Sequence, residues 1–171
     1  MSEVFHLEQH ISIAIVTVSD TRDQQTDKSG QLIRKMAHEK NLHISSYEIV
    51  KDDAEEIRKT VQWMLEQDAV DAVITTGGTG IAKRDVTLEA VAPLFEKELA
   101  GFGELFRFLS YTEDVGSRAL LSRAAAGTSG TKALFVLPGS SGAVRLAMEK
   151  LILPEIRHIT FELSKHLQTR E

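Results

Sequence analysis

Cysteine is absent from this 171-residue chain, which excludes disulfides, thiolate metal sites and a cysteine nucleophile. No apolar run approaches the roughly 20 residues that a bilayer-spanning helix needs. Residues 1–10 lack the basic start and apolar core of a secretory signal. They read as a polar, flexible arm, and the expected compartment is cytoplasmic. A basic excess is also missing: 20 Lys and Arg stand against 25 Asp and Glu, a net charge of −5. That argues against a nucleic-acid binder, and nothing suggests a membrane partner. The six histidines show no metal-ligand spacing. No linker, repeat or low-complexity stretch interrupts the chain, so 11–171 is expected to be a single domain.

What the chain does have is an ordinary soluble composition, 42% apolar and 26% charged, and one unusual stretch. The β-branched run Ala72-Val73-Ile74-Thr75-Thr76 ends in Gly77-Gly78-Thr79-Gly80, followed by Lys83-Arg84-Asp85 and Thr87. Three glycines in four residues permit positive φ and close approach to a ligand. Consecutive N–H groups in such a turn can cup an anion. A tight strand-to-helix turn with no ligand fits the glycines equally well.

Buried strands are expected at Ile11–Ser19, Val70–Thr75 and Ala133–Leu137, with a more polar edge strand at Ile44–Val50. Apolar residues at helical spacing follow each of the first three strands: Leu32, Ile33 and Met36 behind a cap at Asp27 or Ser29; Ile57, Val61 and Met64; and Leu88, Val91 and Phe95 behind a cap at Thr87. Residues 101–126 break the alternation with two helices, through Leu109 and through Ala124. Ala125–Thr131 reads as a small-residue turn, and two terminal helices read as separated by Pro154. The fold class is α/β, a three-layer sandwich with a mostly parallel sheet flanked by helices.

Ligands in such sheets bind beyond the carboxyl ends of the strands. Four loops leave those ends: Ser19-Asp20, Asp52-Asp53, Thr75–Thr79 and Pro138–Ser141. They carry the chain's unusual residues. Two phosphate fingerprints fail. No Gly-x-x-x-x-Gly-Lys-Ser/Thr run exists, and Lys83 stands where the dinucleotide fingerprint begun by Gly78-Thr79-Gly80 needs its last glycine.

Taken together, Ser19-Asp20-Thr21-Arg22, Thr75–Gly80, Arg84-Asp85-Val86-Thr87, Gly101-Phe102-Gly103-Glu104, Ser122-Arg123 and Leu137-Pro138-Gly139-Ser140 closely resemble the MogA/MoaB family of molybdenum cofactor biosynthesis. The resemblance spans about 10–155. Pro138-Gly139-Ser140-Ser141-Gly142 is similar to the MoaB branch. Lys51, Leu88 and Ala100 stand where relatives often carry proline. The resemblance implies adenylylation of molybdopterin with ATP and magnesium, releasing pyrophosphate, by a homotrimer or hexamer. The alternative is a catalytically inactive paralogue that still binds molybdopterin or nucleotide.

The same resemblance implies the site. Asp52 and Asp85 match the family's acidic positions and are the catalytic and magnesium-ligand candidates. Asp85 could instead serve the start of the next helix, and Asp53 competes with Asp52 for the role. Ser19, Asp20, Thr76, Gly77, Gly78, Thr79, Gly80, Ser122, Arg123, Pro138, Gly139 and Ser140 are the candidate substrate contacts. Arg118 joins Arg123 as a possible anion contact. Phe102 lies either against the pterin or in the core.

Overall fold

Seven consecutive buried residues form the first strand, and their alternation sets the layers. The computed structural model describes residues 10–168; the polar arm expected at 1–10 lies, except for His10, outside the described residues. In β1 (Ser12–Val18), Ile13 and Ile15 face one side, while Ala14, Val16 and Val18 face the other. The isoleucine side packs against α1 (Lys28–Glu39), α4 (Ala100–Glu113), α5 (Ser141–Ala147) and α6 (Leu153–Gln168). The alanine and valine side packs against α2 (Ala54–Leu65) and α3 (Thr87–Val91). Both faces are apolar, as a strand sandwiched between helices must be.

The sheet has six strands in the order β2-β1-β3-β6-β5-β4. β2 (His43–Val50), β1, β3 (Ala72–Thr76) and β6 (Lys132–Leu137) run parallel. The chain moves from β1 outward to β2, then returns to the other side of β1 for β3. That reversal opens a crevice between the carboxyl ends of β1 and β3, where such sheets bind ligands. Val18 pairs with Val50, Thr17 with Thr76, and Thr76 with Leu137. The exits at 19, 51, 77 and 138 therefore start at one level.

Five expectations need correction. Ala125–Ser129 is a strand, β5, antiparallel to β6, and Glu96–Glu98 adds a short edge through β4 (Lys97–Glu98). Its small residues had suggested a turn, but they are small because Phe95 lies across them: a Cβ on Gly127 would sit 2.4 Å from the Phe95 ring. Thr87 does not cap α3; Val86 holds that position, and the Thr87 hydroxyl instead donates to the Gly77 carbonyl at 2.8 Å. That helix also ends early, because Pro93 has no N–H to continue it and a 3₁₀ turn follows at Ala92–Leu94. Pro154 does not divide the terminal helices. A π-helical turn at Met148–Ile152 carries α5 into α6, so Pro154 lies just past that turn inside one continuous helical run. The second helix of the 101–126 segment is a 3₁₀ turn, Gly116–Leu121.

Gly127→Ala drives a methyl into Phe95 and, at 2.9 Å, into the Lys97 carbonyl. Overpacking of this kind costs about 1–3 kcal/mol. Calorimetry on the variant should show a melting temperature lower by several degrees; an unchanged value would mean that the β4–β5 edge yields freely.

Candidate functional site

Gly77 turns the chain out of β3 at φ 99°, and Gly78 follows at φ 67°. Both conformations strain any residue with a Cβ. Space forbids one as well. A Cβ on Gly77 would lie 2.4 Å from the Val18 carbonyl oxygen, and one on Gly78 would lie 2.3 Å from Thr87 Oγ1 and 3.1 Å from Asp52 Oδ1. The loop is thus pressed between the end of β1, the start of α3 and the β2 exit. On its far side Gly77 N–H donates to the Leu137 carbonyl at 3.0 Å, and Thr76 Oγ1 donates to the Pro138 carbonyl at 3.0 Å.

This loop forms a wall common to two lobes of the crevice. The first lobe, about 430 Å³, brings together Ser19, Asp20, Asp52, Thr76 and Arg84 with Gly77, Gly78, Asp85, Gly139 and Ser140. The second, about 470 Å³, adds Thr79, Gly80, Ser122, Pro138 and Arg118 to those same last five residues. Phe106, Ser110 and Asp114 from α4 and its C-terminal end complete the second lobe, and Thr17, Thr21, Arg22 and Ser29 the first. Sequence reading missed these seven as contacts. Ser29 was read only as a cap, and Arg22 sat unassigned inside a recognised motif.

Asp52 and Asp53 separate cleanly. Asp53 caps α2, accepting from Glu56 N–H at 2.8 Å, while Asp52 lines the first lobe with its N–H donating to Asp20 Oδ1 at 3.0 Å. Burial, then the nearby Asp20 charge, pushes the Asp52 carboxyl above its ordinary value; Asp85 adds to this and Arg84 opposes it. Asp85 accepts from Ala82 N–H at 3.0 Å within its own loop. A Cβ on Gly80 would meet Asp85 Oδ2 at 2.6 Å. So Asp52 and Asp85 flank the loop that the missing side chains leave open.

Phe102 takes the second of its two expected places, Ser140 lines both lobes while also capping a helix, and Arg123 alone stands outside them. Phe102 belongs to the core, edge-on to Phe135 with ring centroids 5.4 Å apart. The Ser140 hydroxyl accepts from Ala143 N–H at 3.2 Å as the cap of α5. Arg123 lines neither lobe. Its guanidinium donates to the Gly80 carbonyl at 2.8 and 3.0 Å, to the Asp85 carbonyl at 3.2 Å and to the Thr79 carbonyl at 3.3 Å, and it pairs with Glu89. It anchors the loop and leaves its donors unavailable to a ligand. Arg123→Met keeps the apolar stem and removes these bonds. Amide hydrogen exchange across Gly80–Asp85 should accelerate at least tenfold while the β1 and β3 amides stay protected; unchanged exchange would show the loop holds itself.

Residues 14–158 match the family model described as "Probable molybdopterin binding domain". The chain is 57% identical to Molybdenum cofactor biosynthesis protein B of Staphylococcus epidermidis over 166 residues, 95% of this chain and 94% of that protein. A crystal structure of a Molybdenum cofactor biosynthesis protein B is 58% identical and superposes with a TM-score of 0.90, covering 92% of this chain and 98% of that one. The tungsten cofactor synthesizing protein MoaB from Pyrococcus furiosus is 38% identical, with a TM-score of 0.80 over 91% of this chain and 98% of that one. On these matches the chain belongs to the MogA/MoaB family of molybdopterin-binding domains, on the MoaB side.

Proposed function

We propose that this protein adenylylates molybdopterin with ATP and magnesium, releasing pyrophosphate. One observation carries the reading: the two lobes share the wall from Gly77 to Gly78, and Asp85 lines both. Two ligands seated on either side of that wall would meet beside one carboxylate. In the reaction a terminal phosphate oxygen of the pterin attacks the α-phosphorus of ATP. A phosphorus–oxygen bond forms there as the bond to the pyrophosphate oxygen breaks. The attacking phosphate is already anionic, so positioning and charge neutralisation carry the rate.

The loop's backbone, with Arg22 and Arg84, supplies the electropositive side of the first lobe. Asp52 and Asp85 supply hard oxygens. Among the described residues no three acidic or histidine side chains could hold a metal alone. Two carboxylates completed by substrate phosphates are a set that fits magnesium, which binds in this way at phosphoryl sites. When bound, magnesium would offset the charge developing on the phosphates. Burial first and the Asp20 charge second raise the affinity of Asp52 for its proton, and a cation bound beside it would oppose both.

Incubation with molybdopterin, ATP and magnesium should yield the adenylylated pterin and pyrophosphate. Asp85→Asn keeps an oxygen able to accept from Ala82 N–H but loses the charge. Its turnover should fall about 100-fold or more, while pterin affinity changes little. Pterin binding without any product would replace this reading by that of an inactive binding paralogue.

We also propose a homotrimer or hexamer. Leu105, Phe108 and Tyr111 on α4, and Leu120 in the 3₁₀ turn that packs against α4, are exposed apolar side chains, Leu120 being 87% exposed. Light scattering on the eluting protein should give three or six times the 19.0 kDa chain mass; a monomeric mass would refute the assembly.

A further inference from the structure

Beneath the first lobe lies a charged group that the reaction above does not use. Asp27 is 0% exposed. It accepts from Thr17 Oγ1 at 2.6 Å, from Gly30 N–H at 3.0 Å, from Ser29 Oγ at 3.2 Å and from the Tyr47 hydroxyl. No cation among the described residues is hydrogen-bonded to it, and these four donors stabilise the charge in a cation's place. Their combined effect outweighs burial and keeps the carboxyl below its ordinary value. The site is tightly built: a Cβ on Gly30 would fall 2.2 Å from Asp27 Oδ2 and 2.7 Å from Thr17 Oγ1.

Two of the donors, Thr17 and Ser29, also line the first lobe. A hydroxyl has one proton, and an ionised carboxylate can only accept. Both hydroxyl protons are therefore committed to Asp27, and toward the lobe these oxygens offer lone pairs alone. Ser29 Oγ already receives Arg22 Nη1 at 3.4 Å. Beside Thr17 Oγ1 stands the Tyr47 hydroxyl, whose own proton goes to Asp27.

We propose that Asp27 is a positioning residue of the first lobe: by holding the Thr17 and Ser29 protons it makes this part of the wall acceptor-only, suited to an N–H or O–H edge of a substrate and closed to phosphate. Phosphate oxygens, themselves acceptors, are turned toward the glycine loop and the arginines. The shared chemistry is a neutral donor edge, the amino group of a heterocycle or a sugar hydroxyl, and it can come from ATP or from the pterin. The inference rests on the reading of the crevice as a site for those two substrates.

The test is calorimetric titration of the full chain with ATP, molybdopterin and inorganic pyrophosphate, each separately. Thr17→Val removes the acceptor and, with it, one of the four donors to Asp27; Asp27→Asn lets a hydroxyl turn its proton into the lobe. Each should weaken binding of the same one substrate about tenfold, leaving the other substrate and pyrophosphate within twofold. The substrate affected names the source of the donor edge. Ile57→Val, in the core on the opposite face of the sheet, should lower the melting temperature without moving any affinity. Unchanged affinities in Thr17→Val, or equal weakening of all three ligands, would overturn the proposal and leave Asp27 a structural group; Thr17→Val decides alone should Asp27→Asn not fold. A wild-type chain that binds both substrates but makes no product sinks only the adenylylation reading, whereas one that binds neither sinks both.

Discussion

The close passage of Gly77 against the end of β1 is the constraint on which the crevice depends. The Val18 carbonyl oxygen occupies the space a side chain at 77 would need. On the opposite side, a Cβ on Gly139 would come within 3.2 Å of Gly77 Cα. The exits of three adjacent strands thus converge on one glycine. Any larger residue would push the β1, β3 and β6 loops apart and separate the groups they carry. The parallel register, with Thr17 level with Thr76 and Thr76 level with Leu137, delivers the three exits to that point.

In the proposed reading, a protein with net charge −5 receives anionic ligands here by local arrangement. The electropositive contribution comes from backbone N–H groups in a positive-φ turn and from Arg22 and Arg84 at the first lobe. Three other acids are placed where they do not cancel it. Asp53 is spent on capping α2, Asp27 is buried under four donors, and Glu89 is tied to Arg123. Asp20, Asp52 and Asp85 remain at the first lobe, and the repulsion of Asp20 and Asp85 adds to burial in raising the Asp52 carboxyl. A cation would relieve that repulsion more than a neutral ligand could, and this is how, in the proposed reading, the carboxylates and the glycine turn make one site.

The layers and the crevice were legible because they depend on short-range pattern. Doubly apolar strands, helices at 3.6-residue spacing and a glycine turn after β3 each leave a local trace. Asp85 and the glycine loop could be read for the same reason. What escaped depends on distant neighbours. Ala125–Ser129 passed for a turn because the ring that demands its small residues, Phe95, comes from another segment. Arg123 passed for a ligand contact because the carbonyls it holds lie more than 30 residues away. Thr87 was placed at a helix cap, yet its hydroxyl serves Gly77 ten residues back.

Two anchors of opposite sign fix the two flanks of the crevice. Arg123 gathers carbonyl oxygens on the second-lobe side of the glycine loop, and Asp27 gathers hydroxyl and amide protons under the first lobe. Each satisfies backbone or side-chain groups that would otherwise turn toward solvent, at a cost in desolvation that a mere packing role would not require. An apolar residue of similar volume would pack more cheaply at 27, but the Thr17 and Ser29 hydroxyls would then rotate freely. The buried charge supplies direction: it decides which way protons point at the floor of the cleft. That decision separates the part of the wall that can meet a phosphate from the part that cannot, and so orients a ligand that has both a phosphate and a donor edge.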